Sequence, residues 1–391
     1  MSSFFSSQAS EVTEGFLHVA HTSLQDEDGE RGNNESRGDL VSAGNEGNGK
    51  RKSKVSRPDN YRKSEADALR ALFARHVQKG KPEAPSRQLV GSYSGVIYRE
   101  HPLGKRVYDG STGSRFTYER EDVVRFVCVS DMHGKYASME DAVLPEGDVL
   151  VNCGDLTLNG SMRELRAFRE WMEKQPHKNK VVIAGNHDVT LDREFYGKNE
   201  KIFARSLSPT ETVDDAISFV EEGEYTYLNG TEVEVEGLKI YGSPVTPRFS
   251  NWAFQMDPNE EIYEHWQKIP EDTDILLTHG PAAGFGDRCF RGSRAGCPNL
   301  LYEMKTRVMP LAHVFGHIHE DFGVWDDGES LYVNASTCSL RYRCEQPIIV
   351  FDVPRPGSDS YNKVKAAKQH KLDMLRSLDD SFAKRLSCRT S

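Results

Sequence analysis

Short runs of apolar, β-branched residues recur along the middle of the chain, and each is closed by a polar cluster. The runs are VVRFVCVS at 123–130, DVLVNC at 148–153, KVVIA at 180–184, LKIYG at 238–242, DILLTH at 274–279, HVFGHI at 313–318, LYVNAS at 331–336 and PIIVFDV at 347–353. Continuous apolar runs of this length suit strands buried on both faces. Helical periodicity lies between them. It is clearest at 162–174, where Ser161 and Glu164 form a capping box and Met162, Leu165, Phe168 and Trp171 or Met172 share one face. Weaker helices are expected near 137–143, 212–221, 258–267 and 299–308. Strands alternating with helices predict an α/β layered fold over 121–353.

The flanks read differently. Residues 1–58 are rich in Ser, Gly, Asn, Glu and Asp, and the stretch from Gln25 to Gly49 has almost no large apolar side chains. Too little surface can be buried there to offset the ordering entropy, so a disordered N-terminal region is expected. Lys50, Arg51, Lys52, Lys54, Arg57, Arg62 and Lys63 form a basic cluster, read as a solvated linker or, alternatively, a nuclear-import or anionic-surface signal. Within the extension 59–120, residues 64–79 carry an apolar stripe of Ala66, Leu69, Leu72, Phe73 and Val77, capped by Ser64, and predict a docked helix; 80–121 stays unassigned. The charged tail 354–391 shows a helical pattern through Leu372, Leu375, Leu378, Phe382 and Leu386.

Charge and cysteine usage narrow the function classes. A net charge of −10 argues against a general nucleic-acid binder. The cysteines number seven, an odd count in a long chain, with no CxxC pair of zinc-finger spacing. Reduced thiols are the simplest reading, with Cys128 and Cys153 serving as packing residues. No run approaches the roughly 18 apolar residues of a membrane helix. The start MSSFFSSQAS lacks the marks of a secretory or mitochondrial signal, so a cytoplasmic location is expected.

The candidate chemistry sits at the carboxyl ends of the runs, where open α/β sheets gather ligands. Asp131-Met132-His133 follows the first run, Gly154-Asp155 the second and Gly185-Asn186-His187-Asp188 the third. His279-Gly280-Pro281 and Gly316-His317-Ile318-His319 follow two later ones. Each cluster alone has a mundane turn or loop explanation. Together they supply carboxylate, amide and imidazole donors in the order DxH, GD, GNHD, H and GHxH, each behind its own strand.

That order is the signature of the calcineurin-like metallophosphoesterases. The chain resembles their metallophosphoesterase-domain-containing (brain-239-like) branch in CVSDMHG (128–134), PHKNKVVIAGNHDVTLD (176–192), LKIYGSPVTP (238–247), ILLTHGPAAGFGD (275–287), HVFGHIHEDFGV (313–324) and YVNASTCS (332–339). The resemblance covers about 121–353 and implies a four-layer α/β/β/α sandwich with mixed sheets. It implies one metal ion on Asp131, His133, Asp155 and His319, a second on Asp155, Asn186, His279 and His317, and His187 as the catalytic histidine. Two divalent ions, Mn with Fe or Zn as alternatives, would share a water that attacks phosphorus in line. The implied substrate is a small phosphoester such as a cyclic nucleotide, hydrolysed as a diester. A phosphomonoesterase, a nuclease and a non-catalytic metal-binding scaffold are the alternatives. The stretch Asp155-Leu156-Thr157-Leu158-Asn159-Gly160 lacks the Asp-Arg continuation of protein Ser/Thr phosphatases, which argues against phosphoprotein substrates. Arg248, Arg288, Arg291, Arg294, Arg341 and Arg343 are candidate phosphate ligands; Asp188 is either a residue that orients His187 or an ordinary loop residue. No membrane or stable nucleic-acid partner is expected.

Overall fold

The computed structural model describes residues 97–100, 122–139 and 144–387, the first and last stretches (97–100 and 378–387) as backbone. The N-terminal region 1–58, the basic cluster, the helix expected at 64–79 and part of that expected at 137–143 lie outside the described residues. In chain order the strands and helices are β1 (Ile97–Glu100), β2 (Val123–Val129), β3 (Val149–Cys153), α1 (Met162–Glu173), β4 (Asn179–Ile183), α2 (Arg193–Asn199) and α3 (Val213–Glu221). Next come β5 (Thr226–Leu228), β6 (Thr231–Val235), β7 (Leu238–Ser243), β8 (Thr246–Pro247), β9 (Gln255–Met256), α4 (Glu260–Trp266), β10 (Ile275–Thr278) and α5 (Pro298–Glu303). The chain closes with β11 (Ala312–Phe315), β12 (Gly323–Asp326), β13 (Leu331–Asn334), β14 (Ile349–Pro354) and α6 (Asp359–Ser387).

Two six-stranded mixed sheets form. One runs β1-β14-β2-β3-β4-β5, the other β12-β13-β11-β10-β7-β6. In the first, β2 to β5 are parallel and β14 is antiparallel to β2. In the second, β7, β10, β11 and β13 are parallel and β6 and β12 are antiparallel edges. Side chains alternate across each strand, and that alternation makes the layers. Val124, Phe126 and Cys128 of β2 meet Ile240, Ile275 and Val314 of the other sheet in one central core. Val127 and Val129 face outward onto Leu165, Phe168 and Met172 of α1. On the far side, Tyr241, Leu276 and Tyr332 pack against Ile262 and Trp266 of α4 and Leu300 of α5. The layers are therefore α/β/β/α.

Helix α1 begins with both hydrogen bonds of the Ser161–Glu164 capping box and buries Met162, Leu165, Phe168, Trp171 and Met172, the expected face. Helix α3 is capped in the same way by Thr212 and Asp215. Over 299–308 the helix changes character. It is α-helical to Glu303, widens to a π-turn over Met304–Val308, and stops at Met309 in a left-handed conformation. Near 137 only a 3-10 turn, Tyr136–Met139, is described. Cys128 and Cys153 are packing residues of the central core. The tail is helical, as its periodicity predicts. Leu372 is buried, and Val364 provides a second anchor. Near it, Tyr361 Oη and Lys365 Nζ both donate to Asp274, the lysine at 2.8 Å. No helix among the described residues is long and apolar enough to cross a membrane.

Candidate metal centre

The loops that leave β2, β3, β4, β10 and β11 meet at one edge of the two sheets. The first two are tied through backbone: Asp131 N–H donates to Gly154 O (2.9 Å) and His133 N–H to Asp155 O (3.0 Å). Asp131, His133, Asp155 and His317 all hold positive φ, between 45° and 70°, a region costly for residues with a Cβ. The backbone is bent there to turn carboxylates and imidazoles inward at the sheet edge.

Donor atoms converge accordingly. Asp131, His133 and His319 each place a ligand atom within 4.8 Å of the others, and so do Asp155, His279 and His317; His133, Asp155 and His187 make a third such set. Asp155 lies between the groups, with Oδ2 3.7 Å from His133 Nε2 and Oδ1 3.3 Å from His279 Nε2. Asp131 Oδ1 is 3.3 Å from His319 Nε2. Asn186 Oδ1 is 3.0 Å from His279 Nε2. All eight residues singled out by the sequence thus come together.

Two glycines leave room for these groups. A Cβ on Gly316 would lie 2.0 Å from Asp131 Oδ2 and 2.1 Å from Ser130 Oγ, and one on Gly185 would lie 2.3 Å from Asp155 Oδ1. The residues before His317 and Asn186 are glycines because a carboxylate occupies the space a side chain would fill.

Carbonyl groups fix which imidazole nitrogen faces the centre. A carbonyl only accepts, so Nδ1 of His279 donates to Cys153 O (2.8 Å), Nδ1 of His319 to Ser339 O (3.1 Å) and Nδ1 of His187 to Leu158 O (2.8 Å). Nε2 is left for the centre in each case, the arrangement that orients metal-binding imidazoles. The backbone N–H of His317 donates to both oxygens of Asp131, and Ser336 Oγ donates to Oδ2 (3.0 Å).

The electrostatics are those of a site that wants cations. Burial alone would raise the pKa of Asp131, but the hydrogen bond and charge of His319 hold it far below the usual carboxylate range. Burial likewise opposes ionisation of Asp155, and His279 and His187 outweigh it. The cost of these two buried charges falls on their partners. Burial pulls down His279 and His319, yet the adjoining carboxylates raise both to about 9. Burial lowers His133 to about 4 and His317 to about 3. Two imidazolium protons therefore balance two carboxylates. Divalent cations bound by neutral imidazoles would replace those protons. The donor set of carboxylate, amide and imidazole fits a pair of such cations.

Several residues take roles that sequence motifs do not reveal. Asp188 does not orient the His187 ring. Its buried carboxylate accepts from the N–H groups of Leu156 (3.1 Å), Thr157 (2.8 Å) and Gly185 (2.8 Å) and from Thr157 Oγ1 (2.7 Å), so it ties the second and third loops together. Burial, then the nearby Asp155, raises its pKa to about 7. Asn334 donates to the carbonyls of Gly286, Ile318 and Asp321 and accepts from Ser336. An aromatic rim surrounds the centre. Tyr342 lies 4.7 Å from the His133 ring and 5.5 Å from His319. Between β8 and β9 the chain brings Trp252 to 4.2 Å from His187 and Phe249 to 5.2 Å from His317. Asn334 and Ser336 stand within YVNASTCS (332–339) but resemble ordinary turn residues there, and the aromatics are scattered, so no local pattern states what they hold. Of the candidate arginines, Arg248 is paired with Asp257 and Arg294 with Asp287. Arg341 and Arg343 are exposed on either side of Tyr342.

Known proteins resemble this chain. A family model described as calcineurin-like phosphoesterase matches residues 124–321, about half the chain. Metallophosphoesterase domain-containing protein 1 of Homo sapiens is 42% identical over 238 residues, which is 59% of this chain and 72% of that protein. Two UPF0046 proteins of Caenorhabditis elegans are also similar. One is 34% identical over 262 residues (64% of this chain, 66% of that protein). The other is 35% identical over 240 residues (60% and 83%).

Proposed function

The chain belongs to the calcineurin-like phosphoesterase family, and we propose that it is a dinuclear phosphodiesterase acting on small organic phosphoesters such as cyclic nucleotides. The observation that supports this most is the position of Asp155, whose two oxygens face separate imidazoles, His133 and His279. One carboxylate so placed would be able to hold both cations. Asp131, His133 and His319 would complete one ligand set and Asn186, His279 and His317 the other. Mn is the proposed cation, with Fe or Zn compatible with the same donors.

A bound cation pair supplies Lewis acidity, which activates water and neutralises phosphoryl charge. The other contributions come from side chains. His187 Nδ1–H is held by the Leu158 carbonyl, so Nε2 is the atom that exchanges a proton. It is proposed to donate one to the leaving oxygen, a role typically contributing about 100- to 10,000-fold in rate. The His187 ring is braced between His133 and Trp252. Phe249 and Tyr342, both exposed beside the ligands, offer apolar faces to a flat organic group. Arg341 and Arg343 flank that surface and offer charge to phosphate oxygens.

The test is hydrolysis of bis-p-nitrophenyl phosphate by Mn-reconstituted protein against a panel of monoesters and cyclic nucleotides. Asp155→Ala should abolish turnover and reduce metal content. His187→Ala should lower kcat by roughly 100-fold or more while metal content is kept. Loss of metal in the His187 variant would reassign that residue from proton donor to ligand, and a preference for monoesters would refute the diesterase reading.

A further inference from the structure

Two cysteines outside the ligand set face each other beside the centre. Cys338 and Cys344 are partners in an isolated antiparallel bridge, closed by Ser339 N–H donating to Arg343 O (2.8 Å). Their sulfurs are 2.9 Å apart. Residues directly opposite one another on antiparallel backbone have Cα atoms about 4.5–5.5 Å apart, inside the roughly 4.4–6.8 Å range that a disulfide spans. A bond between them requires no rearrangement of the main chain. The remaining described cysteines have no such neighbour: Cys128, Cys153 and Cys297 are buried singly, and Cys289 is a half-buried thiol.

We propose that Cys338 and Cys344 are a peroxide-sensitive thiol pair whose oxidation to a disulfide locks the 339–343 loop against the metal centre. The two cysteines are unequal. Cys338 is fully buried, while Cys344 is half-buried and reachable from solvent. The hydrogen bond between them favours a thiolate on Cys344, lowering its pKa to about 7 against the effect of burial, with Lys135 assisting. Cys344 is thus the attacking sulfur and Cys338 the resolving one.

The chemistry balances with hydrogen peroxide as oxidant. The Cys344 thiolate attacks one peroxide oxygen, an S–O bond forms, the O–O bond breaks, and the departing hydroxide takes up a proton to leave as water. Cys338 then loses its proton and attacks the Cys344 sulfenic acid. The S–S bond forms, the S–O bond breaks and a second water departs. Two thiols have given two electrons to one peroxide.

The loop so closed is a wall of the centre. Its Ser339 carbonyl accepts from His319 Nδ1, and Tyr342 packs against His133 and His319. Gln346 Nε2 joins the carbonyls of His319 and Cys338, at 3.1 and 2.9 Å. In the reduced protein that wall is held by hydrogen bonds and packing. In the oxidised protein it is also held covalently, so His319 is kept in place and a bound cation leaves more slowly.

The test uses the full chain, reconstituted with Mn and treated with peroxide at one equivalent. Expected are loss of two hydrogens in mass, a tryptic cross-link joining Cys338 to Cys344, and reversal by dithiothreitol. Cys344→Ser should show no cross-link. Cys344→Ser should also keep wild-type turnover under reductant. Release of Mn to EDTA should slow several-fold on oxidation of wild type and stay unchanged in the variant. Absence of the cross-link, or its formation only after other cysteines are modified, would overturn the site assignment. A cross-link with unaltered Mn release would overturn the locking role. The mass and cross-link arm is repeated on protein without added Mn and needs no turnover, so failure of the phosphoesterase reading leaves that arm intact.

Discussion

Replacing Gly316 by alanine isolates the steric demand of the centre from its chemistry, since no donor atom is removed. The added Cβ would stand 2.0 Å from Asp131 Oδ2 and 2.1 Å from Ser130 Oγ. A carbon–oxygen contact relaxes to about 3.3 Å, so the two groups must separate by roughly 1.3 Å. Asp131 cannot simply swing aside, because it is fully buried and held by His317 N–H and Ser336 Oγ. Strain of this kind in a packed interior costs about 1–3 kcal/mol. Metal sites tolerate about 0.2 Å in ligand distance, and displacing a reacting group by ~1 Å costs on the order of 100-fold in rate. The expected result is a folded protein that binds its first cation about 10- to 100-fold more weakly and has lost most turnover. Metal per chain after equilibrium dialysis at limiting Mn, read beside thermal melting, measures both effects. Gly197→Ala is the control. Nothing lies within 4 Å of a Cβ there, and the site is in α2, so stability should rise by about 0.4–1 kcal/mol. Wild-type metal affinity and turnover in Gly316→Ala would refute the claim that a carboxylate fills that space.

Metal uptake should release protons. His279 and His319 are raised to about 9 in the metal-free protein and must be neutral to act as ligands. Calorimetry at pH 7.5 in two buffers of different ionisation heat would show this, and uptake insensitive to buffer would contradict it. The metal-free protein should show the opposite trend. A raised folded-state pKa stabilises fully below the unfolded value near 6.5 and is lost as pH rises through about 9, so the melting temperature without metal should fall over that window. In acid, His313 matters instead. Burial lowers it to about 3, so its contribution is present above the unfolded value and lost as pH falls from about 6.5 toward 3, a change of a few kcal/mol by order of magnitude. His313→Gln should shift the acid midpoint of tryptophan fluorescence downward; an unmoved midpoint would discount this residue. Asp188→Asn should lower stability by about 1–3 kcal/mol for each backbone N–H left unpaired, measured by urea unfolding, and a change under 0.5 kcal/mol on that scale would show that the loops are held by something else.

The strands and the convergence of the candidate donor residues were legible because both leave local marks. Runs such as 148–153 and 274–279 are buried on both faces, so their composition alone reveals them, and each donor motif stands directly behind one. The antiparallel edge β6 was not legible. It exposes Glu232 and Glu234 and buries only Val235 fully, so its alternation is weak. Asn334 and Ser336 fall in a matched string, but their roles, like that of Tyr342, depend on long-range contacts with Ile318, Asp131 and His133. The role of Asp188 was open in the sequence between orienting His187 and bracing a loop. Its hydrogen bonds reach backbone 31 and 32 residues away, a distance no spacing rule expresses.

The donor residues belong to different layers: Asp131, Asp155 and Asn186 follow strands of one sheet, His279, His317 and His319 strands of the other. Elsewhere the two sheets adhere through a shared apolar core. At this rim a cation pair would rivet them. Chelation would then be felt far from the ions, as faster amide exchange along the seam where β4 and β5 lie beside β7, and the metal state of the protein could be followed there without any substrate.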